Sequence, residues 1–304
     1  MSGQCLAGSE DYLITLHRAP CDDGLRRDSP LVVTFGGQPS NCKPHGFRTS
    51  WSLQQGWDTI YVAQRHGSQY QGLSLEAFAD AVLPATEGRD VVCYGSSLGG
   101  YAAIYYAGAI GARMLAASPM LPAWPPLGRV VHQVPILHGD IAEGPLSPHN
   151  PIIIFDPLVK SDKKLIEEMV LPAYPDARLV PLEFAGHTVL QVLRASGQLK
   201  AFVKTAIVDD DVHPIQRDTE NDSIWHFQKG RLLRDSEPEM ARSHFERSLE
   251  IRMSSHVGGN LLALLLRMGE RDSAPRLLDR FRDNPDVAMP AHSRRNAERL
   301  GLSP

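Results

Sequence analysis

No apolar run in the 304 residues approaches the roughly 20 consecutive positions needed to span a bilayer. The opening Met1-Ser2-Gly3-Gln4-Cys5 lacks the basic start and long apolar core of a signal peptide. A cytoplasmic protein with no membrane partner is therefore expected. A marked excess of either charge sign is missing as well. Thirty-one Lys and Arg stand against 35 Asp and Glu, a net charge of −4 with both signs interspersed. That leaves no basic face of the kind a phosphate backbone requires, so nucleic acid is a poor partner. Cysteine is sparse: Cys5, Cys21, Cys42 and Cys93 lack metal-ligand spacing, and Cys93 lies in an apolar run where a small thiol packs well. They read as reduced and structural, and no metal or cofactor is implied. With 42% hydrophobic and 22% charged residues, the chain has enough apolar material for one sizeable core and a smaller second region.

What is present is an alternation of short apolar runs and helical patterns. Strands are expected at Asp11 to His17, Leu31 to Phe35, Thr59 to Ala63, Val91 to Tyr94, Arg113 to Ala117, Ile152 to Phe155 and Asp176 to Leu182, with a polar turn around Cys21-Asp22-Asp23-Gly24. Leu73 to Leu83 has helical spacing between two of them. Such alternation argues for an α/β protein with a mostly parallel sheet covered on both faces. The stretch that organises the rest is Val91-Val92-Cys93-Tyr94-Gly95-Ser96-Ser97-Leu98-Gly99-Gly100-Tyr101, a strand that meets Gly-x-Ser-x-Gly and continues into a helix. A serine at such a strand-to-helix turn is held out above the sheet, and the helix behind it aims unpaired N–H groups and a positive dipole end at any anion formed there.

These residues, with His187 downstream, resemble the α/β-hydrolase superfamily of serine esterases, lipases and thioesterases, over about the first two hundred residues. The family order is serine, acid, histidine. The resemblance implies Ser97 as nucleophile and His187, in Phe184-Ala185-Gly186-His187 after the last strand, as general base. It implies an acid just beyond a buried strand, and Asp156 in Asp156-Pro157-Leu158-Val159 is the choice. The rival is Asp162, which stands before the helical run Lys163 to Val170 and suits an N-cap equally. Backbone N–H groups of Leu98 and Gly37 are implied as oxyanion donors, with Gln38 an alternative to Gly37. Arg65 and His66 lie just past a strand end, on the side where such sheets bind ligands. The proline-rich segment 119–150 is placed where the family carries a lid or pocket wall, making Met120, Leu121 and Trp124 candidates for an acyl-binding surface. His138-Gly139-Asp140 within it is only superficially like an acid loop.

The hydrolase-like region is expected over 1–207, followed by an acidic, aperiodic linker at 208–222. From 223 to 304 the composition changes. Ala241-x3-Phe245-x3-Leu249 and Ala274 with Leu278 resemble tetratricopeptide helix pairs, their small residues 33 positions apart against the repeat's ~34. Two such pairs are fewer than usually stand alone, so this tail is expected to cover its apolar positions on a protein partner, another copy or the rest of the chain. The expected activity is a serine hydrolase acting on a small-molecule carboxylic ester or thioester without a cofactor. Acyl transfer to a sugar or alcohol uses the same residues, and an inactive interaction protein working through its tail is the third reading.

Overall fold

The computed structural model describes residues 3–20, 28–38, 40–129, 134–270, 272–284, 286–291 and 295. The turn expected at 21–24, Cys21 with it, lies outside the described residues. Two compact units emerge, one of residues 1–183 and 187–215, the other of 184–186 and 216–304.

The first unit is built on eight strands: β1 (Gln4–Gly8), β2 (Tyr12–His17), β3 (Leu31–Phe35), β4 (Thr59–Gln64), β5 (Val91–Ser96), β6 (Arg113–Ala117), β7 (Ile152–Phe155) and β8 (Arg178–Pro181). They form one sheet in the order β1-β2-β4-β3-β5-β6-β7-β8. β1 with β2 and β2 with β4 run antiparallel; every other pair is parallel. The central strands β3 and β6 are buried along their whole length, which is why they read as unbroken apolar runs rather than as alternations. β1 went unread because a half-exposed edge strand of Gln, Cys, Leu, Ala and Gly carries no apolar period.

The helices between the strands include α1 (Thr49–Gln54), α2 (Leu75–Val82), α3 (Leu98–Ala107) and α4 (Lys160–Leu165), and α5 (Val189–Ala195) and α6 (Leu199–Val208) follow the last strand. α4 runs on into a wide π turn over Ile166–Val170. α3 is buried almost all round, and its Tyr106 stacks on Phe35 of β3 with ring centroids 5.7 Å apart and planes within 7°. No helix among the described residues is long and apolar enough to cross a membrane.

The second unit holds α7 (Ser223–Leu233), α8 (Pro238–Ile251), α9 (Ser255–Met268) and α10 (Ser273–Arg282). Ala241 and Ala274 are both fully buried, and a Cβ on Gly230 would stand 2.8 Å from the Phe245 ring, so small residues set how closely these helices approach. Pro275 falls in the first turn of α10, where its missing N–H costs nothing. Leu261, Leu262, Leu265, Leu277 and Phe281, expected to need an outside cover, are at most 5% exposed and belong to a core made of this unit's own side chains. The four helices of the two pairs bury these positions against one another.

In the first unit His138 stacks flat on Tyr105 at 4.1 Å, with Tyr101 and Tyr106 hydroxyls at 2.8 and 3.2 Å from its nitrogens. Burial lowers its pKa from the ordinary 6.5 to about 4, against the opposing effect of backbone hydrogen bonds. Between those values the unfolded chain holds the proton and the folded one does not. Stability is thus complete above pH 6.5 and lost as pH falls toward 4, by at most about 3 kcal/mol. Urea titrations from pH 7 to 4.5 should show this slope in the wild type and a flatter one in His138→Gln. A second expectation concerns Gly95, where a Cβ would land on the Gly99 carbonyl. Gly95→Ala should cost more than about 3 kcal/mol of unfolding free energy in the same assay.

Candidate active site

Ser97 is the turn residue between β5 and α3, at φ 56° and ψ −123°. A non-glycine residue rarely adopts a positive φ, and it is held there by its neighbours. The Ser97 N–H donates to Ala117 O at 2.8 Å on β6, and its carbonyl accepts from Met120 N at 3.0 Å and from the first turn of α3. A Cβ on Gly99 would stand 2.5 Å from Phe35 O, so only glycine lets α3 start this close to β3. The side chain of Ser97 is therefore displayed at the carboxyl edge of the sheet, where parallel α/β sheets bind ligands.

His187 reaches the same point from the loop after β8. Its Nε2 is 2.8 Å from Ser97 Oγ and its Nδ1 is 2.7 Å from Asp162 Oδ2. Because an ionised carboxylate only accepts, Nδ1 carries the proton donated to Asp162 and Nε2 is left as acceptor for the serine hydroxyl. Asp162 is fully buried, while the His187 side chain remains about one-third exposed. Ser161 Oγ donates a further bond to Asp162 Oδ1 at 3.2 Å, so both carboxylate oxygens are engaged, as burial of a charge demands.

The expectation of Asp156 as the partner of His187 is corrected by this geometry. Asp156 stands at the exit of β7, 2% exposed, and its Oδ1 accepts from Leu158 N at 2.9 Å. That bond closes the turn leading into α4 and turns the carboxylate toward its own backbone. The N-cap account of Asp162 fails in turn, because α4 begins at Lys160 with Val159 as its cap residue. A signal for Asp162 was available: Leu165, Ile166 and Met169 follow it by three, four and seven positions, which puts its carboxylate on the inward stripe of the helix.

The loop after β3 supplies the remaining pieces. Tyr70 Oη donates to Gly36 O at 2.8 Å. In a trans peptide C=O and N–H point opposite ways, so this bond turns the Gly37 N–H away from Tyr70. The Gln64 side chain reaches Gly37 O at 3.5 Å, a weaker restraint on the Gln38 N–H. Gly37, Gln38 and Ser97 line one cleft. Leu98 is the first helical residue of α3, a position whose N–H has no partner within its helix. Arg65 is instead paired to Asp11 at 2.7 Å, and neither it nor His66 lines this cleft. Met120 and Leu121 are at most 2% exposed, and the partly buried Trp124 packs against the central core. No group of three or more His, Cys, Asp or Glu side chains able to hold a metal occurs among the described residues.

No family model matches the sequence, and no curated protein does. Among solved structures, esterase 2 of Thermogutta terrifontis, phosphonylated by sarin, is similar at a TM-score of 0.46 and 15% identity, over 70% of this chain and 96% of that one. A lidless α/β serine hydrolase from Xanthomonas campestris gives 0.43 and 15%, over 70% and 96%. An α/β-hydrolase enzyme from a Medee basin deep-sea metagenome library gives 0.45 and 12%, over 69% and 96%. The strand order and the mostly parallel sheet of the first unit are of α/β-hydrolase type, with a helical segment at the C-terminal end. The Nδ1 proton of His187, held against a buried carboxylate, should give a far-downfield proton resonance. It should survive Asp156→Asn and vanish in Asp162→Ala; the reverse pattern would return the partner role to Asp156.

Proposed function

We propose that the protein is a serine hydrolase that cleaves a carboxylic ester or thioester through an acyl-enzyme on Ser97. The observation that carries the reading is the series Ser97 Oγ, His187 Nε2, His187 Nδ1 and Asp162 Oδ2, closed by bonds of 2.8 and 2.7 Å. Ser97 Oγ attacks the acyl carbonyl as its proton passes to Nε2, and Asp162 holds the imidazole in the right tautomer and stabilises its charged form. The oxyanion of the tetrahedral intermediate accepts from the N–H groups of Leu98 and Gly37, the latter aimed by Tyr70. The imidazolium then gives its proton to the leaving alcohol or thiol as the bond to it breaks. Water attacks the acyl-enzyme with His187 again taking a proton, which returns to Ser97 as the carboxylic acid leaves. Acyl transfer differs only in the acceptor of the second step.

A fluorophosphonate probe should label the wild type and not Ser97→Ala; labelling that persists in Ser97→Ala and is lost in Ser96→Ala would overturn the assignment. With p-nitrophenyl esters, with and without an added alcohol, Asp162→Asn should lower kcat by about 10⁴, as loss of the tautomer does in such triads. Asp156→Asn should act through stability rather than turnover. Tyr70→Phe, which frees the Gly36 peptide, should lower kcat by about tenfold with KM little changed.

A further inference from the structure

The cleft beside Ser97 has a volume of about 500 Å³. One side is the elbow, with Ser96 and Ser97, and the other is the loop between β3 and α1, which brings Gln38, Asn41, Lys43 and His45 to the same space. Tyr61, 4% exposed, forms the floor. None of the described lining residues is acidic, and the lining is rich in hydrogen-bond donors. This is an unusual wall in a chain whose net charge is −4. Asp11, the carboxylate that acts on neighbouring Cys42, is taken up by Arg65 at 2.7 Å. Lys43 forms no salt bridge among the described residues.

The loop that carries Lys43 is tethered on both sides. Before it, Cys42 N donates to Gln64 O at 3.0 Å and Ser40 Oγ accepts from Gln64 N at 3.3 Å. After it, the His17 ring lies 2.7 Å from Pro44 O, and Gly46 N donates to Thr49 Oγ1 at 3.2 Å. The backbone is thereby tethered on both sides of Lys43, an exposed residue that lines the cleft. A cation, an imidazole and several amide or hydroxyl donors in a cleft that opens at the nucleophile, beside the rings of Phe47 and Tyr61, suit an oxyanionic group.

We propose that this cleft is the subsite for a carboxylate carried by the substrate, with Lys43 as counter-ion and Asn41, His45 and Gln38 as donors. The proposal rests on the serine hydrolase reading and narrows it from esters in general to acid-bearing ones. The carboxylate can sit on either side of the scissile bond, as the far end of a dicarboxylic half-ester or on the departing alcohol, and the two are separable by experiment.

Two substrate pairs are compared. On the acyl side, p-nitrophenyl hemiglutarate is set against p-nitrophenyl valerate. On the alcohol side, 4-carboxyphenyl butyrate is set against phenyl butyrate. In each pair the ratio of kcat/KM, charged over neutral, is measured for wild type, Lys43→Ala, Lys43→Glu and a control on a distant helix, Lys200→Ala. Because each ratio is compared between proteins, intrinsic leaving-group reactivity cancels. For one pair the ratio should fall about threefold to fivefold in Lys43→Ala and further in Lys43→Glu, stay constant in Lys200→Ala, and shrink in the wild type as salt is added. The pair that responds tells which side of the ester the cleft takes. Ratios that do not move in either pair, in protein that labels with the serine probe and turns over the neutral esters, overturn the subsite and leave the hydrolase reading intact. If wild type neither labels nor turns over, the hydrolase reading fails on its own. The subsite is then decided by calorimetric binding of glutarate, which must weaken in Lys43→Glu for the cleft to stand and is refuted by equal binding.

Discussion

The carboxyl edge of the sheet depends on one steric constraint, the closeness with which the helix behind Ser97 approaches its neighbouring strands. A side chain at Gly95 would collide with the Gly99 carbonyl, and one at Gly99 would press on the carbonyl of Phe35. With both positions bare, the chain turns within a residue from strand to helix and leaves Ser97 in a backbone conformation that an isolated peptide avoids. The cost of that conformation is met by the bonds on either side, from Ser97 N to β6 and from Met120 and α3 to its carbonyl. The hydroxyl is a by-product of this packing: it stands out because nothing else at the turn has room to.

From that fixed point the other groups are placed by their own local rules. His187 arrives from the loop after the last strand, and Gly37 from the loop after β3, its peptide plane turned by a tyrosine whose hydroxyl is wholly buried. A buried phenol between two carbonyls, Gly36 O at 2.8 Å and Val62 O at 3.0 Å, restrains backbone more stiffly than a solvent-exposed side chain, because no water competes for the bond. The cleft between these elements carries several polar side chains because one of its walls is a loop, whose residues are chosen for turns and not for a core.

The sequence was legible where physics acts locally. Val91 to Gly99 carries strand, turn and helix in consecutive residues, so Ser97 could be read without knowledge of the rest. His187 followed from a glycine and a strand end. The carboxylate that meets His187 was misread because two aspartates six residues apart, Asp156 and Asp162, differ in where their side chains point, and direction is not legible in the residue type. Asp156 looks more exposed to the site because it ends a strand, yet the backbone N–H of Leu158 claims it first. The tail was read as two incomplete repeats needing cover, while the burial of Leu261 and Phe281 depends on contacts across four helices that no single helix pattern displays. Edge strand β1 left no pattern to read.

The π turn at Ile166–Val170 holds Asp162 and the hydrophobic anchor behind it in a phase that a uniform helix would not allow. A π turn is an α-helix with one residue too many. With Val170 and Tyr174 fixed in the core, loss of a single residue from this turn would rewind the helix and rotate everything before it by about 100°. The carboxylate of Asp162 would swing off His187 while every apolar contact beyond the turn stayed in place. The pairing of Asp162 with His187 is therefore a matter of chain length as much as of residue identity: a sequence one residue shorter in this turn keeps all three side chains and loses their alignment, and Leu165 leaves the core with it.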